Sequence, residues 1–362
     1  MLTRNFRTAV ASCSRPLRSV APAARKRSLA TSTSLPDNFV RVVEVGPRDG
    51  LQNEKSVIPP ETKIELIDRL GAAGTKIIEA GSFVSPKWVP QMGGTTEVVS
   101  RMKVLPDVTY QVLIPNSKGL ANALSLLSST SSSPPPITEI AIFTAATDAF
   151  AHANTNCSIA ESLSRLSTVT RQALDAGLKV RGYVSVVITC PYSGQVDYEK
   201  VRDVTKELFE MGCYEVSLGD TVGTGTPGSV REMIETVLQK NPVEKLAGHF
   251  HDTFGMGVAN AVQAVSQGIR TIDASVAGIG GCPYSPGATG NVATEDIIHA
   301  LRGLGYEVAG NMDQLVDTGF WISEKLGRQN ASRVANAIRA KRVREAQLRE
   351  KEGVSEAFKA KL

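Results

Sequence analysis

The stretch His249-Phe250-His251-Asp252 places two imidazoles two residues apart in a chain that has only four histidines. The residues before it read as a short strand, and residues i and i+2 of a strand point to the same side. Two imidazoles on one side can share a cation, although a hydrogen-bonded pair of histidines would look the same. Other side chains able to reach the same place separate the two accounts. Asp49, in the segment GPRDG (46–50), and Asn291 offer oxygen. Imidazole mixed with carboxylate or amide oxygen, with positions left open, suits a Mg²⁺- or Mn²⁺-like ion. A tetrahedral structural zinc would want sulfur, and only Cys282 could add it.

Such residues have to be brought together by the elements between them. From residue 38 onward short β-branched runs alternate with longer stretches of helical periodicity, the mark of strand–helix units around a parallel sheet. The runs are FVRVVEV (39–45), KIIEAGSF (76–83), TYQVLIPN (109–116), ITEIAIFTA (137–145), KVRGYVSVVIT (179–189), YEVSLGD (214–220), KLAGHFHD (245–252) and TIDASVAG (271–278). Eight such units in about 260 residues predict an α/β fold of the (β/α)₈ TIM-barrel type rather than an open doubly wound sheet. In that fold the chemistry sits where the strands end, and there the polar residues gather. Arg48 and Asp49 follow the first run, Glu79 lies in the second, Asp220 ends the sixth, His249 and His251 lie in the seventh, and a glycine-rich loop with Cys282 and Asn291 follows the eighth.

Arg48 stays charged at any working pH and is suited to stabilising a developing anion. Glu79 and Asp220 are expected to position Arg48 and the metal ligands. The loop from Gly280 to Gly290, around Cys282, is expected to close over a substrate and exclude water. The Ser/Pro run at 125–136 predicts a surface loop, and GTGTPG (223–228) a turn into the next helix. Beyond residue 311 the pattern is helical and strand-free, so a C-terminal helical extension, 311–362, is expected to follow a barrel spanning 37–310.

The net charge is +4, yet the first 36 residues hold seven Arg and Lys and no Asp or Glu. The remainder is slightly acidic, which leaves no basic footprint for nucleic acid. A leader rich in Arg, Ser and Ala and free of acids has the composition of a mitochondrial transit peptide. Residues 1–36 are therefore set apart from the fold, and the mitochondrial matrix is the expected location. The final Ala360-Lys361-Leu362 comes close to the Ser-Lys-Leu peroxisomal address and adds the peroxisome as a second expected location. No apolar run nears the roughly 18 residues of a membrane span. The five cysteines form no C-x-x-C pair, so free thiols are expected rather than a disulfide framework.

EVGPRDGLQNEK (44–55), GSFVSPKWVPQM (81–92), RGYVS (181–185), GCYEVSLGDTVGTGTPG (212–228), HFHDT (249–253) and SVAGIGGCPYSPGATGN (275–291) together resemble the 3-hydroxy-3-methylglutaryl-CoA lyases. SVAGIGGCPY discriminates most, because related barrel enzymes that make isopropylmalate or cleave 4-hydroxy-2-oxo acids share only the RDG and HxHD themes. The resemblance implies a divalent-metal-dependent lyase that cleaves (S)-3-hydroxy-3-methylglutaryl-CoA to acetoacetate and acetyl-CoA, in leucine degradation and ketone-body formation. It implies Asp49, His249, His251 and Asn291 as metal ligands. Catalytic roles fall to Arg48, Asp49, Glu79, Asp220, His249 and Cys282, and substrate contacts to Arg48, Lys55, Ser82 and Asn154. The base stays open among Asp49, His249 and Cys282. An acyl-CoA is the expected substrate and a homodimer the expected assembly. Unlike the animal members, this chain has no cysteine beyond Cys282, which puts thiol-based regulation there in doubt. The alternative is a related barrel aldolase or acyl-CoA synthase acting on a different acid.

Overall fold

Eight short strands rich in β-branched residues close on one another in the computed structural model, which describes residues 38–130, 132–281 and 290–359, the last nine by backbone alone. They are β1 (Arg41–Glu44), β2 (Ile77–Ser82), β3 (Thr109–Leu113), β4 (Glu139–Ala145), β5 (Lys179–Ser185), β6 (Glu215–Asp220), β7 (Leu246–Phe250) and β8 (Thr271–Ala274). Every neighbouring pair is parallel, and β1 pairs with both β2 and β8, so no edge remains. The (β/α)₈ barrel expected from the alternation is the fold. The leader, Cys282 and Ala360-Lys361-Leu362 lie outside the described residues.

The helices are α1 (Pro60–Ala72), α2 (Thr95–Arg101), α3 (Ser117–Ser129), α4 (Asp148–Thr155), α5 (Ile159–Asp175), α6 (Tyr198–Glu210), α7 (Pro227–Val237), α8 (Gly257–Ser266), α9 (Thr294–Gly303), α10 (Met312–Lys325) and α11 (Arg333–Lys359). Their starts are written in short polar side chains. Ser158 and Glu161 cap each other's amides at the head of α5, and Asn116, Thr147, Asp197 and Asn311 accept from the first turns of α3, α4, α6 and α10. GTGTPG leads into α7 with Thr226 as its cap and Pro227 at its first position. Past the last strand, α10 lies against α1 and α9, and α11 against α9, which forms the helical extension.

Several expected boundaries shift, the third run ending at Leu113 and the seventh at Phe250. The fifth run stops at Ser185, because Val186 turns to φ 54° and its amide donates to Thr221 Oγ1 at 2.9 Å instead of to a neighbouring strand. The eighth stops at Ala274, where Ala277 takes φ 58° inside a short turn. The Ser/Pro run does not begin as a loop: 125–129 are the last turn of α3, anchored by buried Leu126.

The apolar core lies between strands and helices, with Leu70, Ile140, Leu218, Val230, Ile272 and Ile297 among its buried members. The barrel interior is instead partly charged. Fully buried Arg181 donates to Glu215 Oε1 (2.8 Å), Tyr183 Oη (2.7 Å) and Asp273 Oδ1 (2.7 Å). A buried cation persists only with such partners.

Two further buried acids knit the β8–α9 connection to β1. Glu44 accepts from Gly46 N (2.8 Å), Val276 N (2.9 Å) and Thr294 Oγ1 (2.7 Å), and both oxygens of Glu295 accept from Ala277 N (3.1 and 2.9 Å). Burial nevertheless pushes Glu44 up to about 7 and Glu295 up to about 8. An unfolded glutamate ionises near its ordinary value of about 4.3. Between that pH and about 8 the folded chain keeps a proton on Glu295 that the unfolded chain has lost, so this contribution to stability is present in acid and fades as pH rises. From about pH 5 to about pH 8 the wild-type denaturant midpoint is expected to fall relative to that of Glu295→Gln, whose amide keeps an acceptor and does not titrate. Parallel curves for the two proteins would show that Glu295 is ionised in the fold.

Candidate active site

The first strand runs into a widened helical turn, Gly46–Gly50, in which the Val45 carbonyl accepts from both Asp49 N (2.7 Å) and Gly50 N (3.1 Å). That turn aims Arg48 and Asp49 into the barrel mouth. Two strands away around the barrel His249 projects from β7, and His251 lies one residue past the strand, in an antiparallel bridge with Asn291. The bridge forms because Asp252 N donates to Gly290 O (2.7 Å) and Val292 N to Phe250 O (3.2 Å). Gly290 permits this return: its φ is 84°, and a Cβ there would lie 2.6 Å from the backbone of Gly280 and Gly281.

The Nε2 atoms of His249 and His251 are 3.2 Å apart, and Asp49 Oδ2 lies 3.9 and 3.8 Å from them. Among the described residues no other trio of carboxylate, imidazole or thiol groups converges so closely, all three ligand atoms lying within 4.8 Å of one another. Two imidazole nitrogens and a carboxylate that face a shared point, with a cavity above, fit a divalent cation with open positions. Asn291 joins them differently: its Nδ2 donates to Asp49 Oδ2 at 2.8 Å, so here it braces Asp49. Half a turn of the amide would put Oδ1 in the same place and make it a ligand.

Arg48 is clamped beside this cluster. Its Nε donates to Glu79 Oε2 (2.7 Å), its Nη1 to Asp49 Oδ1 (2.6 Å), and the guanidinium sits 5.6 Å from the Tyr183 ring centre. Burial works against both charges, yet Arg48, with the two histidines, holds Asp49 well below the usual carboxylate range. Burial raises Glu79, with Arg48 opposing. Asp273, behind His249, is buried but held down at about 2, chiefly by Arg181.

A cavity of about 560 Å³ opens over these groups, lined by Arg48, Asp49, His249 and His251 below and by Ser82, Asn154 and Tyr183 on its walls. The volume is in the range of small-molecule sites. Ser82 is buried, its hydroxyl donating to Leu113 O (3.2 Å) and accepting from Val84 N (3.2 Å). Asn154 sits on α4 at the rim. Asp220 ends β6 beside His251. Its oxygens accept from Gly223 N (3.1 Å) and Gly225 N (2.8 Å), and the turn so shaped packs against His251.

Lys55 is exposed and is not one of the residues that line the cavity. On either side of it the carbonyls of Glu54 (2.8 Å) and Ser56 accept from the buried Gln91 amide nitrogen. Its neighbours serve the site instead, since Asn53 Nδ2 donates to Gly281 O (2.8 Å) and Glu54 pairs with Arg328 (2.9 Å), tying down the start of the glycine loop. Cys157, Cys190 and Cys213 are buried free thiols.

A family model described as HMGL-like matches residues 39–322, nearly the whole barrel and α10. The chain belongs to the HMGL-like family. The mitochondrial hydroxymethylglutaryl-CoA lyase of Bos taurus is 49% identical over 311 residues, 85% of this chain and 93% of the relative. The crystal structure of hydroxymethylglutaryl-CoA lyase from Pseudomonas aeruginosa superposes with a TM-score of 0.80 at 51% identity, covering 84% of this chain and 98% of that one. An Acinetobacter baumannii HMG-CoA lyase solved with coenzyme A and 3-methylmalate gives 0.77 at 32% identity, over 84% and 96%.

Three residues of this HMGL-like site escaped the sequence reading: Tyr183 under Arg48, Asp273 behind His249, and Arg181 between them. A signal existed. In VRGYVS an arginine and a tyrosine alternate with apolar residues, so both face the barrel interior, where an arginine needs an acid. YEVSLGD and TIDAS each carry one, Glu215 and Asp273.

Proposed function

We propose that the chain cleaves (S)-3-hydroxy-3-methylglutaryl-CoA to acetoacetate and acetyl-CoA. The observation that carries this reading is the convergence of Asp49, His249 and His251 on one point, with the Arg48–Glu79 pair beside it at the floor of the cavity. In the reaction the 3-hydroxyl gives up its proton and its oxygen becomes the ketone of acetoacetate. The C2–C3 electron pair moves onto the thioester as an enolate, which takes a proton at C2 to leave acetyl-CoA. A divalent cation, Mg²⁺ or Mn²⁺, held by Asp49, His249, His251 and the turned amide of Asn291 would lower the pKa of that hydroxyl as a Lewis acid.

The chain's own residues account for the rest. Glu79 and Asp49 fix Arg48 through Nε and Nη1 and leave its Nη2 without a partner among the described residues, to meet the enolate oxygen. His249 Nε2 faces His251 and its Nδ1 faces Asp273, and the base for the hydroxyl proton is one of Asp49, His249 and Cys282. Ser82 and Asn154 stand where the acyl-CoA would pass. The relative solved with coenzyme A and a hydroxy acid supports that class of substrate. Residues 37–310 would form the catalytic barrel and 311–362 its extension, in a homodimer. The leader composition and the mitochondrial relatives support the matrix as its location, and Ala360-Lys361-Leu362 would add the peroxisome.

Acetoacetate release by the purified protein is expected to stop on adding EDTA and to return with excess Mg²⁺ or Mn²⁺. Release indifferent to the chelator would remove the cation from the reaction. An intact substrate, with acetyl-CoA instead condensing onto a keto acid, would point to the related synthases.

A further inference from the structure

His249 has two ring nitrogens, and they face different worlds. Nε2 looks into the cavity, 3.2 Å from His251 Nε2. Nδ1 looks into the barrel interior, 3.3 Å from Asp273 Oδ2, at an angle too bent for a full hydrogen bond. Asp273 is not free to turn away. Its Oδ1 accepts from Arg181 Nη2 (2.7 Å), and its Oδ2 accepts from Ser217 Oγ (2.7 Å) and Arg181 Nη1 (3.3 Å). Arg181 in turn is locked by Glu215 and Tyr183.

A neutral imidazole presents a lone pair on one nitrogen only when its proton sits on the other. Nothing about a histidine on a strand decides which nitrogen that is. A carboxylate pinned against Nδ1 does, since it accepts and cannot donate. We infer that Asp273 is a positioning residue of the site: it places the His249 proton on Nδ1 and fixes the ring so that Nε2 is the donor offered to a cation. Arg181 and Ser217 act through Asp273 by denying it any other orientation. The inference rests on reading Asp49, His249 and His251 as a cation centre.

The test is ¹⁵N NMR of histidine-labelled protein, practical in a chain with four histidines, joined to titration with Mn²⁺ alone. The His249 resonance is assigned by its loss in His249→Gln. In the wild type it is expected to be the Nδ1–H tautomer. In Asp273→Asn it is expected to shift to Nε2–H or a mixture, with Mn²⁺ affinity lower by about 10–100-fold. A wild-type His249 with its proton on Nε2 overturns the inference, and so does Asp273→Asn with wild-type tautomer and affinity. Should Asp273→Asn not fold, Ser217→Ala decides, because it leaves the Arg181 pair intact: Mn²⁺ binding a few-fold weaker at an unchanged unfolding midpoint supports the role, and unchanged binding overturns it. A wild type that shows Nδ1–H but binds no Mn²⁺ would instead sink the cation centre and leave the tautomer assignment standing.

Discussion

Arg48→Gln is expected to lower kcat by about 10³-fold while KM changes by no more than a few-fold. The asymmetry follows from when the charge appears. The substrate thioester is neutral, and its oxygen becomes anionic only as the C2–C3 bond breaks, so an arginine aimed there helps the transition state and not the ground state. Arg48 is already oriented by Glu79 and Asp49, at 2.7 and 2.6 Å, before any substrate arrives. Glutamine is shorter and neutral, and it cannot span both carboxylates. Steady-state kinetics at saturating Mg²⁺, corrected for the folded fraction, makes the measurement. Near-normal turnover in this variant would take Arg48 out of its assigned role.

Arg181→Met is expected to destabilise the barrel by about 3–5 kcal/mol, read as a drop in the denaturant midpoint at unchanged slope. The side chain is fully buried and bonds two acids and a phenol. Methionine fills a similar volume, so the cost is electrostatic rather than a cavity. It falls mainly on Asp273, because Glu215 keeps Arg41 Nη2 at 2.5 Å and Thr271 Oγ1 at 2.8 Å. Adding Asp273→Asn to Arg181→Met should recover part of the loss, since no unpaired buried charge then remains on that side. A single-variant loss below about 1 kcal/mol would mean that the interior charges are hydrated or neutralised rather than paired.

The fold was legible because its signal is local. A run of β-branched residues, a helical stretch with a capping side chain and a glycine punctuation are each contained in a few consecutive positions, and eight repetitions leave little choice of topology. The boundaries were less legible. That Val186 and Ala277 would leave extended geometry depends on partners, Thr221 Oγ1 for one, that are distant in the chain. The Ser-rich end of α3 reads as a loop by composition, yet Leu126 is buried against the core and carries the helix to Ser129.

At the site, the i, i+2 spacing of His249 and His251 places both rings on one side because the chain is extended there, and the bridge of His251 to Asn291 carries that geometry past the strand end. Lys55 shows the opposite case. Its motif neighbours are drawn to the glycine loop and to Arg328, while the lysine itself is exposed and the backbone beside it is held by Gln91, thirty-six positions on.

Residue types and short-range periodicity thus determined the class of fold, the presence of nitrogen and oxygen donors at strand ends, and the family resemblance. Barrel closure decided the remainder. It sets Asp49, His249 and His251 within 4.8 Å of one another, turns the Asn291 amide nitrogen toward Asp49, and buries Asp273 against the far side of His249. Those relations depend on strand register and on which way a buried polar group must point to find a partner, and both are properties of the closed sheet rather than of any one segment.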